Sequence, residues 1–127
     1  MHHSSYYLSK KQHTCQSIED TLTQKTVYIS ADILPKSEGG PALFSKTLEQ
    51  IHTDSVPANY DGHFIVAFIV DTSGQVYGER IIKAPIYKTG IEIINCLKKL
   101  TWNPAMCNGQ KVSMLYAQEF YIDIAEN

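Results

Sequence analysis

No run in this 127-residue chain is apolar over the roughly 20 residues that a bilayer-spanning helix needs, and none resembles the apolar core of a signal peptide. Any membrane anchor or export signal is therefore expected to lie outside this chain. Cys15 follows Lys10, Lys11, Gln12 and His13, so it lacks the apolar lead of a lipid-attachment cysteine. Charge of one sign is scarce as well. The 11 basic and 13 acidic residues leave a net charge of −2, which gives no electrostatic reason to expect nucleic acid or an anionic membrane as partner. With only three cysteines, Cys15, Cys96 and Cys107, neither a disulfide framework nor a zinc site is available by spacing. At most one pair bridges, and Cys96 with Cys107 is the favoured pair in an oxidising compartment. As a first reading, Cys96 is a buried thiol in an apolar helical pattern.

Catalytic groups are equally sparse. His52 and His63 have no carboxylate at ligand spacing, so both read as surface histidines and no metal is expected. Asp71 reads as a turn former, and Glu79 and Arg80 point to opposite faces of a strand. Gly39-Gly40 lacks the lysine or the further glycines of a phosphate loop. Ser37 and Ser73 have no base nearby to activate them. The expectation is a protein without catalytic residues, metal or cofactor.

What is present is an ordinary globular composition, 43% apolar, with an unusually high count of eight tyrosines, a residue suited to sheets and partner surfaces. Residues 1–26 are polar and aperiodic and read as an arm, linker or tag, with the folded domain expected over 27–127. Val27, Ile29, Ala31 and Ile33 alternate with polar residues as a half-buried strand that ends at Pro35. Gly39-Gly40-Pro41 opens a helix expected over Pro41–His52, with Leu43, Phe44, Leu48 and Ile51 as its apolar stripe. Phe64–Val70 is apolar on both faces, as a central strand would be. Asp71-Thr72-Ser73-Gly74 turns it into a return strand, Gln75–Ala84. Ile91, Ile94, Leu97 and Leu100 mark a second helix, Thr89–Thr101. Asn108-Gly109 then launches the longest periodic run in the chain, Lys111–Ile124. In that run Val112, Met114, Tyr116, Phe120, Ile122 and Ile124 share one face, and only Gln118 breaks the row. At full extension it would reach about 45 Å, and no earlier run is long enough to pair with all of it.

This order of pieces resembles the C-terminal domain of TonB-type energy transducers, in the form found in Bacteroidetes-like bacteria. The resemblance rests on Pro35 through Gly39-Gly40 into Ala42-Leu43, on FIVAFIVDTSGQV, and on LTWNPAMCNGQKV leading to a final strand that ends EFYIDI. Trp102-Asn103-Pro104-Ala105 followed by Asn108-Gly109 and Lys111, in that order, is its most specific part. The family's Tyr-Pro pair after the first helix is Val56-Pro57 here. Each landmark also has a plain structural reading, with Trp102 capping the core where the second helix meets the sheet.

The resemblance implies an α+β fold: an antiparallel three- to four-stranded sheet with two helices packed on one face, in the order β-α-β-β-α-β. It also implies a periplasmic, non-enzymatic domain that binds the TonB box of outer-membrane transporters by strand addition. Such a domain couples inner-membrane energy to transport and meets the membrane only through an anchor absent from this chain. An edge strand offers unpaired N–H and C=O groups that an incoming peptide satisfies. The expected docking edge is Lys111, Ser113, Leu115, Ala117, Glu119 and Tyr121, with Val56 and Pro57 as an accessory loop. Two alternatives stay open at this point. The same edge could pair with a second copy as a dimer or by strand exchange, or the strand at Val27 could already cover it.

Overall fold

Asp71 shows how local chemistry starts the sheet. Its Oδ1 accepts from the Ser73 amide (2.9 Å), the Ser73 hydroxyl (2.6 Å) and the Gln75 amide (3.0 Å). Partial burial pushes this carboxyl up, but the Ser73 hydroxyl and the turn amides outweigh it and hold it below its ordinary value. Gly74 completes the turn at φ +87°, where an added Cβ would collide with the Trp102 carbonyl oxygen, so both conformation and space require glycine.

The computed structural model describes residues 15–49 and 62–122. In chain order they form β1 (Ser17–Asp20), β2 (Lys25–Tyr28), β3 (Lys36–Ser37), α1 (Gly40–Leu48), β4 (His63–Val70), β5 (Val76–Lys83), α2 (Tyr87–Lys99), β6 (Trp102–Asn103), β7 (Ala105–Cys107), β8 (Gln110–Val112) and β9 (Met114–Tyr121). The main sheet has five strands in the order β1-β2-β9-β4-β5. All its pairings are antiparallel except β2 with β9, which meet in parallel at Tyr28↔Met114. Two short ribbons, β3-β6 and β7-β8, flank it. Among the described residues the fold is thus α+β with two helices, as expected, but its strand order is longer than β-α-β-β-α-β and its main sheet exceeds four strands. No helix among the described residues is long and apolar enough to cross a membrane.

The core lies between β4 and α2. Phe64, Val66, Phe68 and Val70 point from one face of β4 at Ile93, Ile94 and Leu97 of α2, with Trp102 and Phe120 closing the ends and Leu48 of α1 packed against the same cluster. The Trp102 indole donates to the Leu97 carbonyl at 2.8 Å and tilts against Phe68 with centroids 5.3 Å apart. It caps the junction of helix and sheet, as its position in the sequence suggests.

The other face of β4 is covered by the β1-β2 hairpin. β1 and β5 stand at opposite ends of the strand order, yet Arg80 of β5 donates to both Asp20 oxygens of β1, at 2.7 and 3.0 Å. Lys25 of β2 sits over the Tyr77 ring at 5.0 Å. The hairpin therefore leaves the sheet after its bridge to β9 and folds across the back of β4 and β5, burying Val27 and Ile69 completely. Each such side chain contributes about 1.5–3 kcal/mol. Gly78, at φ +65° beside a register shift in the β4-β5 pairing, makes the crossing possible. A Cβ there would stand 2.9 Å from Thr23 Cγ2 and 3.1 Å from Ile69 Cδ1. Glu79 meanwhile points the other way, to Lys98 of α2.

Three expectations are corrected by this arrangement. The boundary at Val27 falls inside the β1-β2 hairpin, so the folded unit reaches back at least to Cys15. Cys107 bonds Cys15, across 92 residues of sequence, and not Cys96. Cys96 lies on α2 with its Sγ 3.8 Å from the Thr47 carbonyl of α1, and burial pushes its thiol up in pKa, the mark of an inert cysteine. Finally, Lys111–Ile124 is not one strand. β8 pairs with β7, the ladder breaks at Ser113, and β9 pairs with β4 along its whole length. A run too long for any one partner takes two in succession. The helix expected to reach His52 is described only to its end at Leu48, and Ile124 also lies outside the described residues.

The Asp20–Arg80 pair gives the fold an acid-sensitive joint. The Arg80 guanidinium, then the Thr23 hydroxyl, holds the Asp20 carboxyl well below the usual carboxylate range, against burial that pushes it up. A carboxylate depressed on folding contributes stability that is complete above its unfolded value, near 3.8, and is lost as pH falls below that value toward the folded one. Asp20→Asn is expected to lower the thermal midpoint at neutral pH by on the order of 5–10 °C. It should also flatten the decline that the parent shows from about pH 4 downward. Thermal melts of the two proteins across that range check this, and parallel declines would show that the pair does not carry the acid sensitivity.

Candidate strand-docking site

The backbone phase of β9 is set at both ends. The Ile122 amide donates to the Gly62 carbonyl at 2.9 Å, on the side of β4, whereas the Ser113 carbonyl accepts from the Tyr28 amide at 2.8 Å, on the side of β2. The β4-β9 register runs without a shift from His63↔Tyr121 to Val70↔Met114. Hydrogen-bonding direction alternates along an antiparallel strand, so even-numbered residues of β9 address β4 and odd-numbered residues address the other side. There β2 meets β9 only at Met114, and its chain then turns off, with the Ile29 amide donating to Gln16. No strand among the described residues lies beyond Leu115 on that side. Ala117, Glu119 and Tyr121 consequently present their N–H and C=O groups outward.

The six residues expected to form the edge therefore divide. Ala117, Glu119 and Tyr121 lie together on an edge that no strand among the described residues covers, with Leu115 at its start. Lys111 does not belong to it, because it pairs with Met106 in the β7-β8 ribbon. Ser113 does not either, because β2 uses its carbonyl. Val56 and Pro57 lie outside the described residues. The strand at Val27 covers only the first residue of β9.

Side chains differ on the two faces of this edge. Facing away from α2, His63 places Nε2 at 2.7 Å from Glu119 Oε2 and Nδ1 at 3.0 Å from Lys83 Nζ, and its ring stacks on Tyr121 at 4.6 Å and 3°. An imidazole protonated at Nε2 donates to the carboxylate and accepts from the ammonium, so one tautomer satisfies both contacts. Tyr121 remains 73% exposed, its ring held upright beside the open backbone. On the other face, Tyr116 and Gln118 line a cleft of about 430 Å³ whose far wall is Pro35, Ser37 and Trp102.

The cleft was not anticipated, although one signal for it stood in the sequence. Gln118 is the only residue to interrupt the core-facing row, and its side chain lines the cleft. A second cluster, Cys15, Asp32 and Cys107, brings ligand-type atoms within 4.8 Å of one another. Its sulfurs are bonded to each other, and Asp32 Oδ2 accepts from the Asn108 amide at 2.7 Å. With no thiolate to offer, that cluster ties the N-terminal segment to the β7-β8 turn. No family model matches the chain, and no curated protein matches it.

Proposed function

We propose that this domain is a periplasmic, non-enzymatic binding module of the TonB C-terminal type. In this reading it accepts the TonB box of an outer-membrane transporter as an added strand on β9 and so couples inner-membrane energy to transport. The observation that carries the reading is the run of outward backbone groups at Ala117, Glu119 and Tyr121, adjoining a strand fully paired on its other side. Backbone pairing supplies affinity with little demand on side chains, which suits one domain serving several receptors. The disulfide between Cys15 and Cys107 favours an oxidising compartment such as the periplasm.

A synthetic peptide carrying a TonB box is expected to bind with micromolar affinity, and to protect the amides of Ala117, Glu119 and Tyr121 from hydrogen exchange while leaving those of β5 unchanged. Protection confined to other elements, or no binding, would remove the reading. The same edge also suits self-pairing. Sedimentation showing a concentration-dependent dimer that excludes the peptide would favour that second reading.

A further inference from the structure

A docked strand would bring side chains as well as backbone. Those directed toward the α2 side enter the cleft lined by Pro35, Ser37, Trp102, Tyr116 and Gln118, with Lys36 at its rim. A dry cavity of about 150 Å³ already holds benzene, so about 430 Å³ has room for two apolar side chains. On the opposite face, Glu119 engages His63 through Oε2 with its side chain 58% exposed, which leaves Oε1 able to accept from a cation placed directly across from it.

Strand geometry joins these features. Residues i and i+2 of a docked strand share a face about 6.6 Å apart, whereas i and i+1 never do. Residues across from Tyr116 and Gln118 therefore enter the cleft together, and the residue across from Glu119 comes next on the other face. Resting on the strand-docking reading above, we infer that the domain selects an extended apolar–x–apolar segment. The cleft takes the apolar pair, and a basic residue immediately beyond the pair, on the Tyr121 side, meets Glu119. Recognition then fixes register as well as direction, which backbone pairing alone leaves free.

Calorimetric titration of the whole chain with blocked peptides tests this. The parent peptide carries leucines at i and i+2 followed by lysine, in a threonine background, and is made in both chain directions. Its isomer has the same composition with the leucines at i and i+1. The parent is expected to bind about tenfold more tightly than the isomer, and replacing its lysine by glutamate to weaken it about threefold. Ser37→Phe, which fills the cleft, is expected to erase the tenfold difference and leave the isomer's affinity as it was. Should that variant fail to fold, the comparison on the parent protein still decides. Equal affinity for the two spacings would overturn the inference while leaving strand docking intact, and binding of neither peptide would overturn both.

Discussion

Reduction of the Cys15–Cys107 bond is expected to lower the thermal unfolding midpoint by about 10–15 °C. The bond spans 92 residues, and in the chain-entropy account a loop near that length restrains the unfolded state by about 4–5 kcal/mol, of which about 2–4 is usually realised. For a domain of this size each kcal/mol is worth about 4 °C. The location adds to the effect. Cys15 stands just ahead of β1, so the bond anchors the hairpin that covers Val27 and Ile69, adding a covalent tie to the Asp20–Arg80 pair, the Lys25–Tyr77 contact and the short bridge to β9. Scanning calorimetry with and without reductant measures the shift. Cys107→Ser should reproduce it and Cys96→Ser should not. Midpoints within a degree or two of each other in the two redox states would mean that the bridge does not hold this hairpin.

Ala117→Pro is expected to weaken TonB-box peptide binding by at least thirtyfold, on the order of 2 kcal/mol, with the fold intact. The substitution removes an outward N–H and places a ring where the added strand must approach, yet it leaves the β4 ladder untouched, because proline is tolerated on the open side of an edge. Gln118→Pro, one residue on, should do the opposite. Its amide addresses β4, so the loss falls on stability, by about 1–3 kcal/mol for an unmade buried hydrogen bond. The pair of variants reads the phase of β9 directly. If Ala117→Pro destabilised the fold and Gln118→Pro spared it, the edge would be assigned to the wrong side.

How far the residues foretold this arrangement differs from element to element. β4, β5 and α2 were legible because period and punctuation agree: both-face burial in FIVAFIV, the Asp71 turn, and an apolar stripe from Ile91 to Leu100. The edge on β9 was not legible in the same way, because alternation there sorts side chains by sheet face, whereas the direction of the backbone groups is set by the Tyr28–Ser113 and Ile122–Gly62 hydrogen bonds. Val112 and Met114 continue one apolar row across Ser113, so side-chain period carries no mark of the change of partner from β7 to β4. The β1-β2 hairpin escaped notice for a different reason. Ser17 to Thr26 is mostly exposed and polar, and what holds it in place is tertiary: an ion pair to Arg80 and a disulfide to Cys107, neither of which spacing can announce. The cleft follows the same rule, because its walls come from segments far apart in the chain.

The disulfide also determines where mechanical tension would run. A pull on the chain ahead of Cys15 passes through the covalent bridge into Cys107, at the end of β7. From there the covalent path continues through the Asn108-Gly109 turn and β8 into β9. The β1-β2 hairpin, both helices and the β4-β5 hairpin stand outside that line and carry load only sideways, through hydrogen bonds and packing. Tension entering from the N-terminal side is thus delivered along the backbone of the strand whose open edge would hold the partner. In the strand-docking reading proposed above, the bond would act as a mechanical bypass from the N-terminal side to the edge, without first unzipping the domain between them.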